Sequence, residues 1–138
     1  MNKDQIFVVG VNGSGTTMLA NALGENPELY MLPWETRVLP YLANRYPDSN
    51  LRDLSIRRAL ADALGSSKAF WRCNGNRSLV LPDDELASLH DFASIVDAMY
   101  SHMARLEGKQ RWGDKTPMYL QHIDILARAF PSARFIHI

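Results

Sequence analysis

The sequence lacks several features that would point to a secreted or membrane protein. Cys73 is its one cysteine among 138 residues, which excludes an internal disulfide framework and is consistent with a reducing compartment. No apolar run approaches the roughly 20 residues that a membrane-spanning helix needs. The first residues lead straight into a predicted strand, which leaves no room for a signal peptide. We therefore expect a soluble, cytoplasmic protein without a membrane span.

An excess of charge of either sign is also lacking. Fifteen lysine and arginine residues balance fifteen aspartate and glutamate residues. Without a net field the chain has no global attraction for nucleic acid or for an anionic membrane, and we expect neither as a partner. His90, His102 and His122 lack the spacing of metal ligands, so no metal site is predicted. Any specificity for an anion must therefore be local.

Apolar patterning predicts an α/β fold with strands near both ends of the chain and helices between them. Residues 5–10 form a short apolar run that ends at a glycine, which is typical of a buried parallel strand. A helix is predicted next over 15–23, then a briefly extended stretch within 26–33 and a helix over 35–47 that is interrupted or kinked at Pro40. The remaining predicted elements are a helix over 52–64 with Arg57 and Arg58 facing outward, one long helix over 83–107, a helix beginning at Thr116 and Pro117, and a buried strand over 133–138.

This order predicts a P-loop-like three-layer fold with a parallel sheet and a helical insertion. Residues 1–24 supply a strand, a glycine-rich loop and a helix. Residues 42–110 form the helical segment, and residues 111–138 supply a lysine-containing loop, a helix and a strand. Because few strands are predicted and the last printed residue falls within one, we expect the N-terminal part of a single domain, incomplete at its C terminus.

The segment GVNGSGTT, residues 10–17, has the glycine spacing of a phosphate-binding loop but carries Thr16 where such loops have lysine. Its glycines let successive backbone amides converge on an anion, and the helix that opens near Thr16 adds its dipole. The alternative is an ordinary glycine turn. Hydroxyl donors without a lysine favour a sulfuryl group, which carries one negative charge and needs no metal, over a nucleoside triphosphate. Six residues are predicted to hold the anion: Asn12, Gly13, Ser14, Gly15, Thr16 and Thr17.

Two blocks of the sequence resemble the sulfotransferase superfamily, whose members use 3′-phosphoadenosine 5′-phosphosulfate as donor. The first block, residues 9–40, contains S-G-T-T, an N-P turn and E-T-R-V, and is most similar to the branch that includes protein-tyrosine sulfotransferases. The second block, residues 114–138, resembles that family's lysine-containing loop, its following helix and its F-P-x-A-R-F strand. The two blocks occur in the family's order and cover roughly half of the chain.

Two departures from the family pattern concern the donor site. Family loops usually carry lysine or arginine just before S-G-T-T, where this chain has Gly13, so the resemblance implies greater dependence on backbone amides and Lys115. A basic residue at position 13 is therefore expected to tighten donor binding. In the family the strand equivalent to 133–138 leads directly into an R-D-x-R motif that binds the 3′-phosphate. The printed sequence stops before that motif, so we expect the 138-residue chain alone to be inactive.

The resemblance also implies catalytic roles for three residues. Glu35 corresponds to the glutamate of E-T-R-V and would be the general base toward an acceptor hydroxyl, with its pKa raised by partial burial. Lys115 would stabilise the charge developing on the bridging oxygen of the leaving group. Arg37 would orient an acidic or polar acceptor. The alternatives are a helix-dipole contact for Glu35, a solvated lysine paired with Asp114, and a surface salt bridge for Arg37.

The sequence thus predicts an enzyme that transfers a sulfuryl group from 3′-phosphoadenosine 5′-phosphosulfate. The expected acceptor is a hydroxyl or amine on a small molecule, a carbohydrate or a peptide. Two alternatives remain open at this level. One is a P-loop kinase acting on a nucleoside or small molecule, and the other is a truncated nucleotide-binding protein without catalytic activity.

Overall fold

A computed structural model describes residues 4–138 of the chain. At its centre is a parallel sheet of four short strands in the order β2-β3-β1-β4. β1 is paired on both sides, and its three valine and phenylalanine side chains are fully buried, as expected of an apolar strand in a parallel sheet. The strands are β1 (Ile6–Val9), β2 (Leu29–Leu32), β3 (Arg111–Lys115) and β4 (Arg134–His137).

Seven α-helices occur within the described residues. Two short 3-10 helices, Asp48–Asn50 and Pro117–His122, join them to their neighbours. The α-helices are α1 (Thr16–Gly24), α2 (Leu39–Arg45), α3 (Leu54–Gly65), α4 (Lys68–Cys73), α5 (Asp83–Ala87), α6 (Phe92–Leu106) and α7 (Ile123–Ala129).

The helices cover both faces of the sheet and so create three layers. Along β1 the side chains alternate between the two faces, as the period of two in a strand requires. Val8 packs with Ala20 of α1 in a small cluster on one face. Phe7 and Val9 point into the larger core on the other face, which the remaining helices enclose. The predicted three-layer α/β arrangement with a parallel sheet is confirmed.

Two strands differ from the prediction. The segment expected to be a lysine-containing loop is β3, which lies inside the sheet, because Trp112 is buried and Gly113 allows close packing. A Cβ atom added to Gly113 would lie 2.9 Å from the backbone carbonyl oxygen of Ile6 in β1, so the close approach of the neighbouring strand favours glycine here. β4 was expected to be buried, but it is half-exposed and pairs only with β1 among residues 4–138.

The predicted long helix over 83–107 is wrong, since α5 and α6 are separate. The break occurs where Asp91 caps α6: its Oδ1 accepts from the backbone N–H of Ser94 at 2.7 Å, and the Ser94 hydroxyl faces the Asp91 backbone in return. Such a capping box stabilises a helix start more than continuation through the polar residues before it. Asp48 adds a contact from a distant segment by accepting from the Phe92 N–H at 2.9 Å.

The helix predicted over 35–47 is shorter than expected. Residues 35–38 are irregular, and α2 begins at Leu39 with Pro40 in its first turn. A proline at that position starts a helix because its missing N–H would have no partner there. Pro40 therefore does not kink the helix, and Glu35 lies outside it.

Arg57 was predicted to face outward with Arg58, but its side chain is buried. It donates from Nε to the Leu51 carbonyl at 2.7 Å and from its terminal nitrogens to carbonyls of Arg52, Leu86 and Ala87. These four acceptors compensate for the loss of water around the guanidinium. Arg57 thereby joins the start of α3 to the end of α5.

Candidate functional site

The functional candidates meet at one edge of the sheet. Because all four strands are parallel, the segments that follow β1, β2 and β3 emerge at the same carboxyl edge, where ligands bind in open α/β sheets. These segments carry the glycine-rich loop, Glu35 and Thr116, respectively. The backbone N–H of Gly10 donates to the Pro117 carbonyl at 3.2 Å and so connects the first segment with the third.

The glycine-rich loop, residues 10–17, has the backbone geometry of an anion cradle. Gly13 and Gly15 have φ values of 83° and 99°, in the left-handed region that only glycine adopts freely. α1 begins at Thr16, and no side chain caps it, so its first N–H groups face the loop. The Ser14 hydroxyl is buried without a hydrogen-bond partner among the described residues. This unmet donor and the uncapped N–H groups at the start of α1 fit an anionic group.

Of the six predicted anion ligands, four are exposed and two are wholly or partly buried. Asn12, Gly13, Gly15 and Thr17 are exposed, Ser14 is half-buried, and Thr16 is buried at the start of α1.

The left-handed φ of Gly13 gives a physical reason for glycine at that position. Any larger residue there adds backbone strain of about 1–2 kcal/mol, which opposes the gain in donor affinity expected from a basic side chain.

Glu35 and Lys115 are 80 positions apart in the sequence and form a direct ion pair. Lys115 Nζ donates to Glu35 Oε1 at 2.9 Å, and both side chains are largely shielded from solvent. Arg37 donates to the other carboxylate oxygen, from Nε at 3.0 Å and from a terminal nitrogen at 2.8 Å. Arg37 adopts this position with a φ of 62°, which is unusual for a residue with a side chain.

The expected rise in the pKa of Glu35 is wrong in direction. Burial of the carboxyl pushes its pKa up, but the hydrogen bonds and charges of Lys115 and Arg37 outweigh that effect. The net pKa therefore lies below its ordinary value, and Glu35 is ionised at neutral pH. The alternative of a helix-dipole contact for Glu35 does not apply, since the residue precedes α2.

The alternative pairing of Lys115 with Asp114 is also wrong. Neighbouring residues of a strand point to opposite faces, and Asp114 points into the core with no exposed surface. Its carboxylate accepts hydrogen bonds from the Tyr100 hydroxyl at 2.5 Å, the Thr36 hydroxyl at 2.7 Å and the Thr116 hydroxyl at 2.7 Å. Burial raises the pKa of Asp114, while these three donors oppose the rise.

Sequence reasoning missed this buried polar network. Thr116 was predicted to cap a helix, but its hydroxyl donates to Asp114 and accepts from the backbone N–H of Thr36 at 3.1 Å. Tyr119 extends the network through a 2.6 Å contact with the Thr36 hydroxyl. The available signal was the spacing of Asp114 and Thr116, two residues apart at the end of a strand, which directs both side chains to one face.

Glu35 and Lys115 open onto a cleft of about 520 Å³ between the segment after β2 and the start of α4. Its apolar wall includes Pro33, Trp34 and Val38. The guanidinium of Arg72 lies 4.2 Å from the centre of the Trp34 ring. Of the other tryptophans, Trp112 packs in the core instead, stacked on Tyr100.

A protein-family model described as the sulfotransferase family matches residues 5–138. The chain belongs to the sulfotransferase family. No curated protein matches the chain. The two sequence blocks had left the helical segment over 42–110 unassigned. The family match extends through that segment, so the sulfotransferase assignment covers all the described strands and helices.

Two further findings concern the described part of this sulfotransferase. No helix within residues 4–138 is long and apolar enough to cross a membrane. In the same residues, the side chains of histidine, cysteine, aspartate and glutamate form no group of three or more that could hold a metal ion.

Proposed function

We propose that this sulfotransferase transfers a sulfuryl group from 3′-phosphoadenosine 5′-phosphosulfate to a hydroxyl or amine acceptor. The observation that carries the proposal is the direct pairing of Glu35 with Lys115 at the carboxyl edge of the sheet, beside the glycine-rich loop. One carboxylate and one ammonium group at a single point suit a reaction that removes a proton and stabilises a leaving oxygen.

The glycine-rich loop would bind the 5′-phosphosulfate of the donor. Its support is the buried Ser14 hydroxyl, the uncapped start of α1 and the left-handed backbone at Gly13 and Gly15. The donor supplies the activated sulfuryl group when it is bound. Asn12, Thr16 and Thr17 complete the proposed cradle, and none of these residues brings a positive charge, so the amides and Lys115 would provide most of the attraction.

Glu35 would act as general base and Lys115 as an electrostatic stabiliser. As the acceptor oxygen bonds to sulfur, the bond from sulfur to the bridging phosphate oxygen breaks, and the acceptor proton passes to a Glu35 carboxylate oxygen. Lys115 would donate a hydrogen bond to the bridging oxygen as negative charge develops there. The lowered pKa of Glu35 keeps the carboxylate ionised and able to accept that proton.

The acceptor would enter through the cleft beside Trp34 and Val38. The apolar wall suits the carbon skeleton of an acceptor, and Arg37 lines the same cleft with a largely exposed side chain that could orient a polar or acidic group. A small molecule, a carbohydrate and a peptide all present a hydroxyl that such an open cleft could receive. The proposed resemblance to the protein-tyrosine branch favours testing a tyrosine peptide first.

The test is a transfer assay on the full-length protein with a radiolabelled phosphosulfate donor and a panel of phenol, sugar, amine and tyrosine-peptide acceptors. We expect label on at least one acceptor without added metal. Glu35→Gln should lower kcat by about 10²–10⁴-fold, because it removes the base. Lys115→Ala should lower it by about 10²–10³-fold, because it removes the electrostatic stabiliser.

Glu28→Gln is the matched control, because Glu28 is an exposed glutamate just before β2, at the opposite edge of the sheet. Its kcat should equal that of the wild type within about twofold. Magnesium-dependent phosphoryl transfer from ATP, with no sulfuryl transfer to any acceptor, would contradict the proposal and favour the kinase alternative.

A further inference from the structure

Asp114 is a buried carboxylate that lies between the two segments carrying the proposed catalytic residues. It is the penultimate residue of β3, immediately before Lys115, and its side chain has no exposed surface. Through Oδ2 it accepts from the hydroxyl of Thr36, the residue that follows Glu35. Through Oδ1 it accepts from the hydroxyl of Thr116, the residue that follows Lys115. One carboxylate therefore contacts the neighbours of both proposed catalytic side chains.

The two threonines are also bonded to each other. The Thr36 backbone N–H donates to the Thr116 hydroxyl at 3.1 Å, so Thr36, Thr116 and Asp114 form a closed set of hydrogen bonds. β2 and β3 are neighbouring parallel strands, and this set continues their connection just past the strand ends. Besides their own ion pair, the positions of Glu35 and Lys115 relative to each other then depend on bonds made by the residues next to them.

The directions of these bonds require an acceptor at Asp114. The Thr36 hydroxyl proton is used on Asp114, so the Tyr119 hydroxyl must donate to Thr36 Oγ1 and accept from the Leu39 N–H at 3.1 Å. Tyr100 donates to the same carboxylate oxygen as Thr36. Burial raises the pKa of both tyrosines, so both phenols stay protonated donors. An amide in place of the carboxylate would turn an NH₂ group toward some of these donors.

We propose that Asp114 is a positioning residue for sulfuryl transfer, whose carboxylate fixes the Glu35 segment against the end of β3 that carries Lys115. This inference rests on the proposed function for its catalytic consequence. The positioning role can also be tested without catalysis, because the pKa of Glu35 depends on Lys115 and Arg37 being held in place. Displacement by about 1 Å is sufficient to lower a transfer rate about 100-fold.

The first experiment compares Asp114→Asn with Asp97→Asn in the full-length protein. Asp97 is a partly buried carboxylate of α6 that accepts from Trp112 Nε1 at 2.9 Å, a bond that an amide oxygen can also accept. We expect Asp114→Asn to lower kcat by about 10–100-fold while KM for the donor changes less than about threefold. Asp97→Asn should leave both within about twofold.

The second experiment measures the Glu35 carboxyl pKa by ¹³C NMR, which is independent of any reaction. Removing the negative charge of Asp114 would by itself lower the Glu35 pKa, whereas release of Lys115 and Arg37 would raise it. We expect a rise in Asp114→Asn. Thr36→Val removes the hydroxyl while keeping the Asp114 carboxylate, and it should also raise the Glu35 pKa. If Asp114→Asn does not fold, the Glu35 pKa in Thr36→Val tests the positioning role on its own.

The outcomes separate the two claims. An unchanged or lowered Glu35 pKa in the folded variants, or a kcat equal to that of Asp97→Asn, would overturn the positioning role. If the wild type transfers no sulfuryl group to any acceptor, the proposed function fails, and the NMR titrations still decide whether Asp114 holds Glu35 and Lys115 together.

Discussion

At the residue scale, the charge state of Glu35 depends on two cations reaching the same carboxylate. Lys115 and Arg37 each bind one oxygen, and together they reverse the effect of burial on its pKa. Because its pKa is lowered, Glu35 is a weaker base in the free protein than the raised pKa expected from the sequence would have made it. If donor binding redirects Lys115 toward the bridging oxygen, Glu35 would lose one of these cations and become more basic when the acceptor hydroxyl arrives.

Arg37→Ala should raise the pKa of Glu35, because it removes one hydrogen bond and one nearby positive charge. A group whose pKa is lower in the folded state stabilises the protein above its unfolded pKa and loses that stabilisation as pH falls through the folded pKa. On going from neutral pH to acid, the variant should therefore lose less of its free energy of unfolding than the wild type does. Urea unfolding at the two pH values measures this difference. Arg128→Ala, which breaks the exposed contact with Asp124, is the control.

A ¹³C NMR titration of the Glu35 carboxyl measures the same shift directly. The Arg128 variant should reproduce the wild-type titration. If Arg37→Ala leaves the Glu35 pKa unchanged, the observed contacts of Arg37 have no electrostatic effect on the site.

The left-handed glycines support a second prediction at this scale. Gly13→Ala and Gly75→Ala both place a side chain at a positive φ, with open space around the new Cβ atom, so each should lower the free energy of unfolding by about 1–2 kcal/mol. Only Gly13 belongs to the proposed cradle. Calorimetric titration with adenosine 3′,5′-bisphosphate should therefore show weaker binding for Gly13→Ala and wild-type binding for Gly75→Ala. Equal affinity for both variants would argue against anion binding by the loop.

At the scale of the elements, local signals succeeded where one short segment decides the structure. β1 and the start of α1 were predicted correctly because an apolar run, a glycine turn and a helix start are encoded by neighbouring residues. The division between α5 and α6 was missed because apolar residues continue at helical spacing across it. The cap at Asp91 and the contact from Asp48 decide the break, and the second of these is not local.

The buried position of Arg57 leads to a prediction that distinguishes it from its neighbour. Arg57→Met should lower the free energy of unfolding by roughly 2–4 kcal/mol, because it leaves several buried carbonyl groups without donors. Arg58→Met is the matched control, since its ion pairs with Asp62 and Asp83 involve carboxylates that are at least half-exposed and it donates to one carbonyl, that of Leu81, instead of four. That change should have an effect of about 1 kcal/mol or less, measured by urea denaturation. Equal effects for the two variants would contradict the structural role of Arg57.

At the scale of the whole molecule, the parallel sheet brings the site together. Glu35 follows β2, Lys115 ends β3, and the glycine-rich loop follows β1, so three distant parts of the sequence reach one edge. Family resemblance identified these residues from their motifs. It could not show their contacts, because pairing of β2 with β3 and of β1 with β3 is decided by long-range packing, and β3 itself was not recognised as a strand.

The sequence by itself determined the α/β class, the glycine-rich loop at the start of α1 and the motif positions of Glu35, Arg37 and Lys115. These features depend on short-range patterns of apolar residues, glycines and caps. Tertiary structure decided that the pKa of Glu35 falls and that Asp114 is buried beneath both site segments. The physical reason is that a pKa and a buried hydrogen-bond network depend on groups brought close in space, and Lys115 lies 80 residues from the carboxylate it pairs with.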